Sequence, residues 1–310
     1  KVNKCLQPPR HEMAEISRYN RQELLSFIGK KGQAQLSRST AAIIGLGALG
    51  TVAAEILARS GVGELVIIDR DIVELTDLQR QLLYDEGDVR RPKATAAADK
   101  LKRVNSEIKI EAVAADVDYK NIGKLVGKPD VVLDCTDNLE TRFLINEYCL
   151  KNKLLWIHAA AIRETAQLMA FDFRSSTNSP CFACVFGNSA AEGTCDTVGV
   201  LGSATVIIAA MQATEAVKLL IDLAATNEML RLNVLQNELT KISLKKNPSC
   251  KSCGKDSNYD YLSGKKTKSA VVMCGRDSYQ IKGQPVDLAA VKERLQRMGE
   301  SVAEFGGCVS

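Results

Sequence analysis

The feature that most constrains the fold of this chain is a glycine-rich turn between an apolar run and an alanine-rich segment. The apolar run Ala41–Ile44 leads into Gly45-Leu-Gly47-Ala-Leu-Gly50, and helix-forming residues then continue to Gly61. This order predicts a strand, a tight turn and a helix. Glycines let the backbone approach a phosphate closely, and a helix amino terminus offers unpaired N–H groups to negative charge. The turn therefore favours nucleotide binding, and a tight turn without a ligand is the alternative.

Acidic and cationic residues follow this turn in a fixed order. A second apolar run ends at Asp69, where an acidic side chain commonly binds ribose hydroxyls. Among the polar residues that come next, Asp71, Asp77, Arg80, Gln81 and Lys93 are candidates for the nucleotide site. Cations here suit a triphosphate attacked at its α phosphorus, because the departing β and γ phosphates carry the negative charge. Solvated surface is the alternative for Arg80 and Lys93, although Pro92 fixes the helical turn that carries Lys93.

A third apolar run, residues 130–134, leads into Cys135-Thr-Asp137-Asn138. Ligands of open parallel sheets gather at the carboxyl ends of the strands, so Asp137 is expected at the nucleotide crevice. Its carboxylate is a suitable ligand for Mg²⁺. The alternative role for Asp137 is the N-cap of the helix that follows.

Two C-x-x-C pairs, Cys181 with Cys184 and Cys250 with Cys253, predict a structural zinc site with four thiolate ligands. Disulfides are not expected, because no secretory signal is recognisable. Cys195 belongs to neither pair and lies in a Gly/Ser/Thr-rich stretch. It is a candidate nucleophile or a bystander thiol, since the chain contains only two histidines to activate it.

These motifs, in this order, resemble the ubiquitin-activating-enzyme-like family of sulfur-carrier adenylyltransferases, the ThiF/MoeB/HesA group. The resemblance runs from about residue 17 to residue 254. It rests on Arg18-Tyr-Asn-Arg21-Gln, the glycine turn, Asp69-Arg-Asp71, Leu-Gln-Arg80-Gln, Arg-Pro-Lys93, Cys-Thr-Asp137-Asn, Ala159-Ala-Ala-Ile-Arg163 and both C-x-x-C pairs. It implies that the terminal glycine carboxylate of a ubiquitin-like carrier attacks the α phosphate of Mg-ATP. The products would be a carrier acyl-adenylate and pyrophosphate, and sulfur would then replace AMP.

The resemblance also implies roles for single residues. The matching positions are Asp69 for the ribose, Arg80 and Lys93 for the triphosphate, and Asp137 for magnesium. Arg21 would reach the ATP site of a partner subunit in a homodimer, a role that suits a planar, permanently charged group. A salt-bridged arginine on an amphipathic helix is the alternative for Arg21. Cys195 matches a crossover thiol that bonds to the carrier in the thiamine branch, and it does not separate that branch from molybdenum-cofactor synthesis.

The chain departs from the family pattern at two places. Asp77 stands where the family usually has asparagine, and its carboxylate should repel phosphates unless it meets magnesium or another cation. Ala48 adds one methyl group to the glycine turn, and the three glycines around it remain.

These observations predict an α/β fold with a Rossmann-like, doubly wound, mostly parallel sheet. An additional sheet region would bind the carrier, and the four-cysteine zinc site would hold that part of the chain together. Residues 15–254 would form the adenylyltransferase domain, with a nucleotide half at about 37–160 and a carrier-docking and zinc half at about 161–254. Residues 255–268 are interpreted as a linker, and residues 269–310 as a small extension of unknown role.

Composition limits the possible partners. The net charge is only +4, and the dense basic run Lys265–Lys268 lies in a Gly/Ser-rich turn, so nucleic acid is not an expected partner. Residues 203–225 are strongly apolar, but Gln212, Glu215 and Lys218 interrupt them at helical spacing, which favours a core helix over a membrane span. The resemblance implies a homodimer, which is expected in the cytoplasm, with a cysteine desulfurase or a rhodanese as a possible sulfur donor.

Three other functions remain open from the sequence. A relative of the family could activate a carboxylate on a modified tRNA nucleoside, although the paired C-x-x-C motifs and the lack of a basic stripe count against it. A pseudo-enzyme could bind carrier or nucleotide without turnover, for which Asp77 is the one indication. A dehydrogenase would also use the glycine turn, but no catalytic acid for hydride transfer is recognisable.

Overall fold

An eight-stranded sheet forms the centre of the protein in the computed structural model. The structure describes residues 17–174, 179–187, 198–226, 228–266, 271–272, 279–280, 287–298, 304–305 and 308–309. The strands of the main sheet are β1 (Thr40–Ile44), β2 (Glu64–Ile68), β3 (Lys109–Val113), β4 (Val131–Asp134), β5 (Leu155–Ile162), β6 (Thr165–Asp172), β7 (Glu228–Asn233) and β8 (Glu238–Ser243). Their order across the sheet is β3-β2-β1-β4-β5-β6-β7-β8.

Helices cover both faces of this sheet. They are α1 (Asn20–Glu23), α2 (Gly29–Leu36), α3 (Gly50–Ser60), α4 (Lys93–Val104), α5 (Ile122–Leu125), α6 (Leu139–Asn152), α7 (Phe182–Phe186) and α8 (Gly202–Leu220). Two 3-10 helices, Leu75–Asp77 and Glu86–Asp88, lie between β2 and α4. The C-terminal segment contributes β9 (Val271–Val272), β10 (Tyr279–Gln280), α9 (Leu288–Arg297), β11 (Glu304–Phe305) and β12 (Cys308–Val309). These last strands form two separate two-stranded sheets.

The main sheet has a parallel and an antiparallel part. Neighbouring strands from β3 to β5 run parallel, in the order β3-β2-β1-β4-β5. The strands from β5 to β8 pair antiparallel. The predicted Rossmann-like α/β sheet is therefore confirmed, and the antiparallel part is the additional sheet region. The strand order brings the ends of β2, β1 and β4 side by side, as a nucleotide crevice requires.

Two hydrophobic cores hold the layers together. One core packs α3, α4 and α8 against the sheet, and the other packs α5, α6 and α7 against the opposite face. Because both faces are covered, β1 and β4 are almost entirely apolar and buried. Trp156, on β5, is fully buried in the second core, where it stacks on Phe171 and contacts the edge of Phe182.

α8 is a core helix, as the sequence predicts. Within the described parts of the chain it is the one helix long and apolar enough to cross a membrane. Its buried face instead packs on the sheet and on α3. Gln212 is fully buried, and its Nε2 donates to the carbonyl oxygens of Asp134 and Ile157 at 2.9 Å each. The polar interruption in this apolar helix therefore ties it to the end of β4 and to β5.

Part of the segment interpreted as a linker packs on α6. Glu147 of α6 is buried, and its carboxylate accepts hydrogen bonds from Ser252 Oγ and from the backbone N–H groups of Tyr261 and Leu262. The Tyr261 ring stacks on Phe143 with 5.0 Å between centroids. The physical reason is the buried carboxylate, because two of its three donors come from this segment. The domain boundaries themselves stay predictions.

Candidate active site

A cavity of about 420 Å³ lies at the carboxyl ends of the parallel strands. Most of the residues that the sequence analysis selected line it: Gly45, Gly47, Asp69, Asp71, Asp77, Arg80, Gln81, Lys93 and Asp137. They are separated in the chain, and the strand order brings them together. Gly50, Arg21 and the four paired cysteines do not line the cavity. Cys195 lies outside the residues that the structure describes.

The three predicted glycines of the turn have different roles. Gly45 has φ +92°, and a Cβ there would lie 2.6 Å from the carbonyl oxygen of Cys135. At Gly50 a Cβ would lie 1.8 Å from the carbonyl oxygen of Gly45, so this glycine lets the turn close on itself. A Cβ at Gly47 would meet only Gln81 Nε2, at 3.8 Å, because Gly47 faces the cavity. Gly50 therefore shapes the turn from outside the cavity.

Asp69 joins the end of β2 to the glycine turn. Its Oδ2 accepts a hydrogen bond from Leu46 N at 2.6 Å, and its Oδ1 accepts one from Asp71 N at 2.7 Å. Each carboxylate oxygen has a second lone pair that could accept a ribose hydroxyl. Asp69 thus shapes the turn in this structure, and its contact with a ribose stays a prediction.

Asp77 is the centre of a buried polar cluster. It is only 4% exposed. Its Oδ1 accepts from Gln81 Nε2 at 2.7 Å and from Arg80 Nη2 at 3.3 Å. Its Oδ2 accepts from Glu74 N at 3.0 Å and pairs with Lys93 Nζ at 3.2 Å. The departure from the family pattern is therefore matched by protein cations, which is one of the two conditions that the sequence analysis set for this carboxylate.

Lys93 remains charged although it is buried. Burial lowers the pKa of its ammonium group, but the carboxylates of Asp69, Asp77 and Asp71 raise it by more, so the pKa is higher than usual. Its side chain is 5% exposed. A buried ammonium group among three carboxylates is a preformed cation in the cavity wall.

The carboxyl group of Asp71 has a raised pKa. Burial and the neighbouring carboxylate of Asp69 raise its pKa to about 7, against the opposing charges of Lys93 and Arg70. Arg70 lies between Asp71, at 3.5 Å, and Asp116, at 3.1 Å. Burial lowers the pKa of Arg70, but these two carboxylates, together with Asp137, raise it above its usual value. The cavity therefore holds closely spaced charges of both signs.

The start of α6 borders the cavity beside Asp137. Asn138 is the N-cap of α6, with its side-chain oxygen accepting from Thr141 N at 2.8 Å. The alternative of Asp137 as the N-cap is therefore wrong by one position. Arg142, one turn into α6, donates from Nη2 to the carbonyl oxygen of Thr136 and lines the cavity. Asn138 and Arg142 line the cavity together with Asp137.

A buried histidine on the adjacent strand β5 contacts the end of β4. His158 Nδ1 lies 2.7 Å from Asp134 Oδ2, and both side chains are fully buried. Burial lowers the pKa of His158. Burial raises the pKa of Asp134, but the hydrogen bond with His158 and the nearby charge of Arg142 bring it below its usual value. The pair fixes the turn from which Asp137 projects.

The polar cavity residues that sequence reasoning did not select include Arg70, Asp116, Thr136, Arg142, Gln167 and Arg231. For two of them the position in the sequence is a signal. Arg70 stands between two selected aspartates, and Asp116 follows β3 closely. Gln167 and Arg231 come from β6 and β7, whose position beside the crevice depends on the order of the antiparallel strands.

Arg21 lies on α1, away from the cavity, and is exposed. The apolar side chains of Leu24, Leu25 and Phe27 follow it, and they are 68%, 44% and 56% exposed. A cluster of large exposed apolar side chains is typical of an interaction surface. The alternative of a salt-bridged Arg21 has no ion pair to support it among the described residues.

The four paired cysteines form one cluster. The Sγ atom of Cys181 lies 3.9 Å from that of Cys184 and 3.7 Å from that of Cys250, and the Sγ atoms of Cys184 and Cys253 are 3.4 Å apart. All four sulfur atoms lie within 4.8 Å of one another. Tetrahedral zinc with Zn–S bonds of about 2.3 Å would separate its sulfurs by roughly 3.8 Å. The donor set and its spacing therefore fit a four-thiolate metal site.

Comparison with known proteins gives the family that the sequence motifs resemble. Residues 19–252 match the ThiF family. The sulfur carrier protein ThiS adenylyltransferase of Bacillus subtilis is 36% identical over 294 residues, which cover 92% of this chain and 86% of that protein. The molybdopterin-synthase adenylyltransferase of Escherichia coli is 36% identical over 252 residues, 78% of this chain and 100% of that protein.

Solved structures agree on the fold. The crystal structure of E. coli MccB superposes with a TM-score of 0.69 at 23% sequence identity, covering 78% of this chain and 74% of that one. At this identity the likeness concerns the fold alone. The family match and the two adenylyltransferases carry the assignment further, and the chain belongs to the ThiF family.

Proposed function

We propose that this protein uses ATP to adenylate the C-terminal glycine of a ubiquitin-like sulfur carrier and releases pyrophosphate. Relatives that cover most of this chain are named as adenylyltransferases of such carriers. The observation that carries the proposal is the cavity, which gathers the glycine turn, the cations Arg80 and Lys93, and Asp137 at one edge of the sheet.

The arrangement suits attack on the α phosphorus of a nucleotide. The triphosphate would lie along the glycine turn with its β and γ phosphates toward Lys93 and Arg80, and Asp69 would accept the ribose hydroxyls. A carrier carboxylate oxygen then forms a bond to the α phosphorus, and the bond from that phosphorus to the bridging oxygen breaks. Preformed cations stabilise the charge that develops on the departing pyrophosphate. Asp77 holds both cations before the nucleotide arrives.

Asp137 and Asp71 are the residues that we propose for magnesium. Carboxylate oxygens are the ligands that Mg²⁺ prefers, and Oδ1 of Asp71 is buried without a hydrogen-bond partner among the described residues. When bound, the ion would add positive charge beside the phosphates. Arg70 pairs with Asp71 and with Asp116 and balances part of their charge.

For the cysteine cluster we propose structural zinc. Four thiolates leave no open coordination position, so the metal would join α7 to the segment after β8 and take no part in the reaction. A thiolate cluster requires reduced cysteines, which supports our expectation of a cytoplasmic location. Cys195 stays a candidate for a covalent link to the carrier, and a cysteine desulfurase or a rhodanese stays the candidate sulfur donor.

A homodimer is part of the proposal. Arg21 is exposed beside a cluster of exposed apolar side chains and does not reach the cavity of its own chain. In a symmetric dimer this surface would be buried, and Arg21 could enter the cavity of the partner. A planar, permanently charged guanidinium is suited to the phosphates of the partner's nucleotide.

The test is carrier-dependent exchange of labelled pyrophosphate into Mg-ATP. Carriers that end in Gly-Gly, from the thiamine and the molybdenum-cofactor branches, are offered one at a time, and Asp137→Ala is the inactive control. Exchange with one carrier and none with the control would support adenylation and name the branch. ATP binding without exchange for any carrier would contradict the proposal, and would favour either an RNA substrate or a protein that binds without turnover.

A further inference from the structure

Beyond the nucleotide crevice, the cavity extends over the antiparallel part of the sheet. Its wall there includes Ala160 of β5, Gln167 of β6 and Arg231 of β7. In the strand register Ala160 is opposite Gln167, and Gln167 is opposite Arg231. Residues directly opposite one another project from the same face of a sheet. These three side chains, the β5–β7 row, therefore lie side by side across the strands.

The β5–β7 row begins at the nucleotide crevice. Ala160 lies two residues beyond His158, which is the register partner of Asp134 at the end of β4. Neighbouring strands are about 4.8 Å apart, so Arg231, on the third strand from β4, lies roughly 14 Å away from it. An extended peptide advances about 3.3 Å per residue. A carrier tail with its carboxylate at the crevice would therefore place its fourth or fifth residue from the end beside Arg231.

The side chains along the row differ in what they can recognise. Ala160 carries a single methyl group and leaves room for a passing backbone. A Gly-Gly ending has no side chain to recognise, so Gln167 and Arg231 would meet the first side chains upstream of it. Arg231 is exposed, and its register partners on the adjacent strands, Gln167 and Thr240, are both uncharged.

We propose that Arg231 determines carrier specificity by pairing with an acidic side chain four or five residues before the carrier's C-terminus. This inference rests on the proposed adenylation of such a carrier. A guanidinium forms two parallel hydrogen bonds to a carboxylate, which adds geometric selectivity to charge attraction. Gln167, between Arg231 and the crevice, can donate to the tail backbone. The pairing would position the tail and leave the reacting atoms to the crevice.

The experiment is a charge exchange between enzyme and carrier. The carrier that supports pyrophosphate exchange is prepared with Asp or with Lys at the fourth and fifth positions from its end, and each form is assayed with wild type and Arg231→Glu. For wild type we expect a KM about tenfold lower for the Asp carrier than for the Lys carrier. For Arg231→Glu we expect the reverse order, with the KM for ATP unchanged in both enzymes.

The matched control is Lys241→Glu. Lys241 is exposed on β8 and is opposite Leu230, whose side chain is in the core on the other face of the sheet. This substitution makes the same charge change away from the cavity. The variant should therefore prefer the Asp carrier, as wild type does. A similar loss with both carriers in Arg231→Glu, or no change with either, would overturn the proposal. A merely structural role of Arg231 would not reverse the preference.

A second readout separates this inference from the proposed function. Fluorescence anisotropy measures binding of labelled ten-residue carrier tails, ending in Gly-Gly, to the whole protein in the presence of Mg-ATP. If no carrier supports exchange, adenylation fails, but a wild-type preference for the Asp tail that reverses in Arg231→Glu would still uphold recognition by Arg231. Equal binding of both tails would overturn it.

Discussion

Asp77 brings a negative charge into a cavity that we expect to receive a polyphosphate, and a second part of the chain shows how this arrangement forms. Asp88 is, like Asp77, the last residue of a 3-10 helix with a capping box. It accepts from Asp85 N at 3.0 Å and pairs with Arg91 and Lys100. The two clusters are alike in construction, but only the one around Asp77 lies in the cavity wall. The capping-box residue Asp77 therefore also positions Arg80 and Lys93, the two cations that we propose for the phosphates.

Asp77→Asn should have opposite effects on stability and on nucleotide affinity. The free energy of unfolding of the unliganded protein should fall by about 1–3 kcal/mol, because buried Lys93 loses its charged partner. The affinity for Mg-ATP should rise several-fold, because the phosphates no longer compete with a carboxylate for Lys93 and Arg80. Chemical denaturation and isothermal titration calorimetry measure the two quantities.

Asp88→Asn is the matched control for this prediction. It removes the same kind of buried carboxylate from the same kind of cluster, so it should lower stability. It should leave the dissociation constant of Mg-ATP unchanged, since Asp88 is not a cavity residue. Weaker ATP binding in Asp77→Asn would mean that the carboxylate is needed to hold the cations in place for the nucleotide.

Asp71 should make the stability of the unliganded protein depend on pH. Its pKa of about 7 in the folded protein is above the ordinary value of 3.8. Between these values the folded state binds a proton that the unfolded state has lost, so stability falls as pH rises from about 4 to 7 and levels off above it. The limiting slope for one group is about 1.4 kcal/mol per pH unit. Urea denaturation at several pH values measures it.

Asp71→Asn should flatten that profile. Asp116→Asn is the control, because it removes another carboxylate that pairs with the same Arg70. If Asp71→Asn gives the same pH profile of stability as wild type, the pKa of Asp71 is not raised as the structure indicates. The measurement is made without nucleotide or divalent cation, so that only the cluster's own charges contribute.

At the scale of elements, the cysteine cluster joins α7 to the segment after β8, two parts of the chain that both pack on α6. Two ligands flank or belong to α7, a helix of five residues, and two follow β8 at the edge of the sheet. Such a short helix is not stable by itself in water. Its aromatic residues Phe182 and Phe186 pack against each other and against His158. A metal at the cluster would therefore stabilise the second core and support the end of β4.

Cys250→Ser should remove the metal and destabilise the protein. Loss of one thiolate from a four-thiolate site should reduce bound zinc from one per chain to a small fraction, because structural zinc affinity depends on the complete ligand set. The midpoint of thermal unfolding should fall by about 10 °C or more. Metal analysis and calorimetry measure these changes, with Cys149→Ala as the control because Cys149 is a buried thiol of α6 outside the cluster. Full metal content in Cys250→Ser would contradict the proposed site.

Local patterns predicted the elements well where a pattern belongs to one segment. The order of apolar run, glycines and helix formers gave β1, the turn and α3, because each part follows from neighbouring residues. The exact start of α6 does not follow from the pattern: the N-cap is Asn138, one position after Asp137. Asparagine and aspartate cap helices about equally well, so one position of error is expected there.

At the scale of the whole molecule, sequence could not predict which distant residues share the cavity. Arg142 reaches it because α6 begins at the end of β4, and Gln167 and Arg231 reach it because β6 and β7 follow β5 in the sheet. Strand order depends on how complete helices cover both faces, which no single segment encodes. The family resemblance supplied the roles of Asp69, Arg80, Lys93 and Asp137, and the structure brings them together without testing those roles.

The role that we propose for Arg21 depends on a second copy of the chain, so it can be tested only between subunits. Arg21→Ala and Asp137→Ala should each abolish pyrophosphate exchange. In a dimer of one copy of each, the cavity with intact Asp137 receives Arg21 from its partner, while the other cavity lacks both. Each mixed dimer has one complete cavity of two, so the purified mixed dimers should recover about half of wild-type exchange.

The mixed dimers are made by coexpressing the two variants with different affinity tags and purifying on both. Arg18→Ala is the matched control, since Arg18 precedes α1, is exposed and pairs with Glu107 of its own chain. It should keep its exchange activity. No recovery in the mixed dimers would mean that Arg21 acts within its own subunit or only in folding, whereas recovery would show that each active cavity is completed by its neighbour, because neither variant chain contains both residues.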